Sequence, residues 1–230
     1  MHKESAKRIV IGQQIDWARR KKRAITSQGY FTRLEDNLLQ PLSDSALNGF
    51  GNGGGSELID TNSRPAKMKA LHSSAALAVN FFDYWTSAGV APLAKAMRFE
   101  DVGEKADIRK FEFERQYPTG LGGNPPNLDI AIEFESGFTI AIESKFTEWM
   151  TPKSMNKESF RPTYFPPDYG VWRERGLPSC QRLAEAISRG EEYFRWLDVP
   201  QLLKHALGLA TALSDKFSLH YIYFDSFGSE

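Results

Sequence analysis

Three residues in one short stretch carry side chains that together could do chemistry. Asn127 to Phe146 reads NLDIAIEFESGFTIAIESKF and holds Asp129, Glu143 and Lys145. Two carboxylates held a few ångströms apart disfavour each other's charge unless something cationic sits between them. A hard divalent cation with oxygen ligands suits such a pair. A lysine beside it supplies a positive charge and hydrogen-bond donors. Whether the three meet depends on the elements that carry them.

Those elements read as a β-hairpin. Leu128, Ile130, Ile132 and Phe134 alternate with Asp129, Ala131, Glu133 and Glu135, and Ile140, Ile142 and Phe146 alternate with Thr139, Ala141, Glu143 and Lys145. This is the period-2 pattern of strands. A three-residue loop, Glu135-Ser136-Gly137, with Gly at the left-handed third position, is a common connection. It pairs Phe134 with Phe138, Ile132 with Ile140 and Ile130 with Ile142. On the opposite face Ala131 meets Ala141, Asp129 meets Glu143 and Asn127 meets Lys145. A two-residue Ser136-Gly137 turn would slip the register by one and set Glu133 against Ile140, mixing the faces, which a sheet buried on one side penalises. The longer loop therefore predicts two carboxylates directly across a ladder, with Cβ atoms roughly 5 Å apart. The competing reading is an ordinary edge hairpin whose solvent face carries Asp129, Glu133, Glu143 and Lys145.

Pro126, Asp129 and then Glu143-Ser144-Lys145 at the end of the next strand resemble the active-site signature of the PD-(D/E)XK nuclease superfamily, and within it bacterial restriction endonucleases. A Glu-x-Lys triplet alone carries little information. One that ends a hairpin strand, with its aspartate in register one strand back, is much more specific. The resemblance implies an α/β fold with a restriction-endonuclease-like core: a central mixed sheet of about four strands flanked by helices, in the order helix-strand-strand-strand-helix-strand. It implies a metal-dependent endodeoxyribonuclease using Mg²⁺, for which Mn²⁺ substitutes, with DNA as partner. Asp129 and Glu143 would hold the metal with help from the backbone carbonyl of Ser144. Lys145 would orient or deprotonate the attacking water and offset charge on the phosphate. Such nucleases often place an extra acid near their first core helix. Glu57 is the candidate here for that metal-binding role, its alternative being a loop carboxylate facing water. Gln201 and His205 resemble the Q-x-x-x-Y element of the RecB-type branch, with His in the Tyr position, and would position the phosphate or the water. Two other classes stay open: a DNA repair or recombination nuclease of the same fold, and a non-catalytic nucleic-acid-binding module. A homodimer is also left open.

Composition bounds these readings. A chain of 230 residues, 41% hydrophobic, is long enough to bury one substantial core. Basic and acidic residues number 29 each, so any nucleic-acid surface must be a local patch balanced by acids elsewhere. Cys180 stands alone, which excludes a disulfide framework and a multi-cysteine metal site. No apolar run is long enough for a signal peptide or a membrane span, so a soluble cytoplasmic protein is expected.

Along the chain, residues 1–54 read as a basic N-terminal segment with a Gly-rich loop, and 55–230 as the nuclease-like domain. Arg19 to Arg23 are five consecutive cations that either contact phosphates or form the solvated face of a short helix. Residues 48–56, NGFGNGGGS, predict a mobile loop. Gly49, Gly51 and Gly54 match G-x-G-x-x-G, but the strand a dinucleotide site requires is missing before them. Lys67 to Thr86 predicts an amphipathic helix through Leu71, Ala75, Ala78, Val79 and Phe82. Asp107 to Tyr117 predicts the first strand. In residues 147–178 five prolines accompany Lys153, Lys157, Arg161, Arg173 and Arg175, interleaved with Phe160, Tyr164, Phe165, Tyr169 and Trp172. That stretch is either a nucleic-acid contact loop or a packed surface loop with aromatic anchors. Two helices follow, one broken at Gly190. The second has Leu202, Leu203, Ala206, Leu209, Ala210 and Leu213 as its buried stripe, and Gln201, His205 and Gly208 on another face. Phe217 to Phe224 predicts a fourth strand, so near the end of the sequence that a further tail is expected.

Overall fold

Isoleucine alternation builds the middle of a four-stranded sheet. The computed structural model describes residues 3–52, 56–99, 107–154 and 159–225. Strands β1 (Ile108–Gln116), β2 (Asn127–Phe134), β3 (Thr139–Lys145) and β4 (Phe217–Tyr223) lie side by side in that order. The first three are antiparallel and β4 runs parallel to β3. This mixed sheet flanked by helices is the expected α/β fold, consistent with a restriction-endonuclease-like core.

The hairpin register is the one the three-residue loop requires. Ile130 pairs with Ile142, Ala131 with Ala141 and Ile132 with Ile140. The Phe134 N–H donates to the Phe138 carbonyl at 2.9 Å, and Gly137 takes φ 80°. Ile130, Ile132, Ile140 and Ile142 are fully buried. At about 1.5–3 kcal/mol for each buried aliphatic side chain, a one-residue slip would be prohibitive. The edge-hairpin alternative fails, because β3 lies between β2 and β4 and every residue from Thr139 to Ser144 is buried.

Both faces of the hairpin are covered. Its isoleucines pack against α3 (Ser74–Phe82), whose Ala76, Ala78, Val79 and Phe82 point inward, and against Ala46 and Phe50. The expected 67–86 helix starts later than its pattern suggests. Residues 67–69 form a 3-10 turn, and Ser73 then caps α3 by accepting from the Ala76 N–H at 3.1 Å. The other face uses small residues: Ala131 and Ala141 pack with Leu128 and Leu209 of a later helix, Val199–Leu213.

Helices also occupy the N-terminal part, as Lys3–Arg20 and Asp44–Asn52 (α1 and α2). Residues 48–52, expected as loop, are therefore helical, while Gly53 to Gly55 lie outside the described residues. Gly49 explains the misreading. A Cβ there would fall inside contact distance of the Phe113 carbonyl, so glycine is what lets α2 rest on β1. Arg19 and Arg20 close α1, and with Lys21 and Lys22 they are exposed to solvent. Arg23 meets Asp36 at 2.8 Å. The short helices Trp85–Ala88 and Ala91–Ala96 (α4 and α5) complete the first half.

The long stretch after β3 is packed rather than open. Phe160, Tyr164 and Trp172 are buried, with Tyr164 and Trp172 stacked at 5.5 Å. They sit against α6 (Pro178–Arg189) and α7 (Val199–Leu213). These aromatics are therefore anchors, and the nucleic-acid stacking role fails for them. Of the cations there, Lys153 pairs with Asp198 at 3.1 Å and Arg161 donates to the Gly122 carbonyl at 2.8 Å; Lys157 lies outside the described residues. No helix among the described residues is long and apolar enough to cross a membrane.

Candidate active site

One residue from each strand falls into a single row across the sheet. Phe113 pairs with Ile130 and Arg115 with Leu128, which sets Glu114 opposite Asp129. Ile130 pairs with Ile142, which sets Asp129 opposite Glu143, and Glu143 in turn pairs with Tyr221. One step along, Gln116, Asn127, Lys145 and Tyr223 form a second row.

The two carboxylates meet where the β2–β3 ladder opens. Asp129 Oδ2 accepts a hydrogen bond from the Ser144 N–H at 2.6 Å. Burial pushes the Asp129 carboxyl well above the ordinary aspartate range, and Glu143 adds to this against the pull of Lys145 and the Ser144 N–H. The Glu143 side chain is only 1% exposed. Its Oε1 meets the Lys145 ammonium at 2.5 Å and its Oε2 faces His205 Nε2 at 3.3 Å. Burial alone would raise its pKa, but His205 and Lys145 overcome that and hold it below the usual glutamate value. Burial likewise opposes the charge on Lys145, yet Asp129 and Glu143 outweigh it and raise its pKa, so the side chain stays an ammonium.

Helix α7 brings the histidine. Gly208 lies against the Tyr117 carbonyl, with no room for a Cβ, so the helix rests directly on the end of β1. The expected stripe holds only in part: Leu203, Leu209 and Ala210 are buried, while Leu202, Ala206 and Leu213 are half-buried. Val199, Leu203 and Leu207 face α6, while His205, Gly208 and Leu209 are also buried, so the face expected to be separate belongs to the interior. Gln201 stands one turn before His205. Its backbone N–H donates to Asp198 Oδ1 at 3.2 Å, and its half-buried side chain makes no hydrogen bond among the described residues. Glu57 is not alone in water either: Lys67 holds its Oε1 at 3.2 Å, and its charge reaches Glu114.

A family model described as REase-ARP, Restriction Endonuclease associating with ARP, matches residues 19–226. The chain belongs to this family. No curated protein and no solved structure matches it.

The geometry adds two residues to this REase-ARP member's candidate site that its sequence pattern did not single out. Glu114 has a left-handed backbone, φ 53°, inside a strand. Its Oε2 accepts from Asn127 Nδ2 at 2.7 Å, and burial raises its carboxyl pKa, as do Glu57 and Glu143. Its place opposite Asp129 would have followed from the β1–β2 register, had anything in the intervening residues 117–126 set that register. Tyr221 is the second, and no local signal points to it.

Among the described residues, no three His, Cys, Asp or Glu side chains are placed to enclose a metal ion. That does not disfavour Mg²⁺, which keeps several waters and is usually held by one or two carboxylates plus substrate phosphate. The donors present fit it. Glu143 Oε2 and His205 Nε2 are both buried without a hydrogen-bond partner, their 3.3 Å approach lacking hydrogen-bond geometry. Buried polar atoms left so are costly unless something completes them.

Proposed function

We propose that this restriction-endonuclease family member is a Mg²⁺-dependent endodeoxyribonuclease of the PD-(D/E)XK type, with Mn²⁺ as a substitute and DNA as substrate. One observation carries the reading: Asp129 and Glu143 face each other at the end of the β2–β3 ladder, with the Lys145 ammonium on Glu143. Asp129 and Glu143, with the Ser144 carbonyl, are the residues that would hold the metal. Bound there, the cation would supply Lewis acidity toward a phosphate oxygen and lower the pKa of a coordinated water.

The chain's own residues divide the remaining work. Lys145 is a fixed cation and donor, suited to stabilising charge that develops on the phosphate. Burial disfavours its charge, and without a cation between them Asp129 and Glu143 outweigh that; beside bound metal and phosphate it would orient or deprotonate the attacking water. His205, whose Nε2 lies 3.3 Å from the far oxygen of Glu143, would position the phosphate or the water. Gln201, one turn away, offers a side-chain amide that makes no hydrogen bond among the described residues for the phosphate or the water. Glu57, through Glu114, extends the acidic side of the site.

The test is supercoiled plasmid incubated with Mg²⁺ or Mn²⁺, with Lys145→Ala alongside. A closed circle has no ends, so nicked or linear product from the wild type marks an endonuclease. Intact plasmid in both metals, or equal cleavage by Lys145→Ala, would overturn the proposal.

A further inference from the structure

The fourth member of the catalytic row is a phenol. Tyr221 pairs with Glu143, and Tyr223 with Lys145, in the parallel β3–β4 ladder. Residues in register on neighbouring strands project to the same face, with the strands about 4.8 Å apart. Tyr221 therefore stands beside Glu143, half-buried, on the face that holds the carboxylates. Its surroundings agree with this placement: Lys145, Glu143, Glu148 and Asp198 all act on its ionisation. A tyrosine hydroxyl is a neutral hydrogen-bond donor across the working pH range.

A buried tyrosine hydroxyl usually finds a partner; that of Tyr221 is not among the buried atoms left without one, so it reaches solvent. This one makes no hydrogen bond to any described residue. The nearby acids are engaged elsewhere. Glu143 faces Lys145 and His205, Glu148 accepts from Ser74 and from the Phe146 N–H, and Asp198 accepts from Lys153 and the Gln201 N–H. What remains is a neutral donor, without a hydrogen-bond partner among the described residues, on the strand next to the Lys145 ammonium. Two donors on adjacent strands, one charged and one neutral, are arranged to grip one oxyanion group from two sides. The neutral one can do so without competing with Lys145 for Glu143.

We propose that the Tyr221 hydroxyl donates a hydrogen bond to a non-bridging oxygen of the DNA phosphate beside Glu143 and Lys145, an assignment that rests on the nuclease reading above. Tyr221→Phe removes one oxygen and keeps the ring. Its melting temperature should match wild type. Its affinity for a duplex oligonucleotide in Ca²⁺ should fall about tenfold, and plasmid cleavage in Mg²⁺ should slow about 10- to 100-fold, as expected for a lost hydrogen bond to a charged group. Tyr84→Phe, at an exposed tyrosine just after α3 on the opposite face of the sheet, is the control and should retain both. Wild-type cleavage and affinity in Tyr221→Phe would overturn the contact. So would a fall in melting temperature with unchanged affinity, which makes the phenol structural. If the wild type itself leaves plasmid intact, the nuclease reading fails and the oligonucleotide arm decides alone. Weaker binding by Tyr221→Phe then upholds the phosphate contact, and equal affinity, or no binding by either protein, sinks it.

Discussion

The Asp129 carboxylate takes the Ser144 N–H at 2.6 Å, one step beyond the last backbone rung between Ile130 and Ile142. A side chain has replaced a main-chain acceptor there, so the strands part and two acids are left facing the gap. Glu133, on the same face of β2, is placed differently. It pairs with Thr139 and meets Arg109 at 3.0 Å. Asp129→Ala, Glu143→Ala and Lys145→Ala should each lower plasmid cleavage by at least about a hundredfold, while Glu133→Ala cleaves like wild type. An inactive Glu133→Ala beside an active Asp129→Ala would mean that the site is built on the wrong residues.

Metal should stabilise the fold. A cation bound only by the folded state adds about 2.7 kcal/mol at a hundredfold excess over its dissociation constant. For a chain of this size that is roughly 5–10 °C in melting temperature. Mn²⁺ or Ca²⁺ should therefore raise the melting point of wild type saturably and that of Asp129→Asn little. A flat wild-type titration would remove the metal site.

The same pair gives a pH signature without metal. Asp129 holds its proton more tightly folded than unfolded, because burial and Glu143 raise its pKa. Below the unfolded aspartate value, about 3.9, both states are protonated and nothing is lost. As pH rises above it, the unfolded chain ionises first, and stability is lost progressively until the folded group ionises too. Asn cannot titrate, so metal-free Asp129→Asn should melt no lower than wild type, with an advantage that widens from pH 4 toward neutrality. An advantage independent of pH, or reversed, contradicts this.

Helix placement can be tested at Gly208. A methyl group there meets the Tyr117 carbonyl, so Gly208→Ala should push α7 off the sheet and carry His205 away from Glu143. Overpacking of this kind costs about 1–3 kcal/mol. Loss of cleavage beyond what the lost stability explains, measured well below the melting temperature, is the expected result. A fully active, equally stable variant would show that the helix is not seated by that contact.

The 147–178 stretch separates by burial. Trp172 is fully buried and Tyr169 is 53% exposed. Trp172→Ala should cost about 3–5 kcal/mol, and Tyr169→Ala almost nothing. Neutralising Lys153 and Arg161 together should leave the salt dependence of DNA binding unchanged, since both serve internal contacts. A flatter salt slope would return these cations to the DNA surface.

What the sequence determined by itself is local. Period-2 alternation and a three-residue loop set the β2–β3 register, because a slip by one residue turns one strand's two buried isoleucines away from the core and brings its alanine and acids in. That sufficed to set Asp129 against Glu143 with Lys145 two residues on. The core order, α3 then three strands, a helical region and β4, was legible for the same reason, whereas α2, α4 and α5 showed no period of their own and α2 read in part as loop. Tertiary structure decided what depends on contacts between distant segments. The β1–β2 connection is too long to dictate register, so Glu114 could not be set opposite Asp129, and its left-handed backbone is imposed in a strand without glycine to announce it. Glycines 49 and 208 looked like a loop signal and a helix-face marker; each proved to be a close approach of helix to strand, visible only once both partners are folded. Tyr221 reaches Glu143 through a parallel crossover of some seventy residues. No pattern in β4 encodes that pairing, because parallel register is set by how α6 and α7 pack and not by the chain beside it.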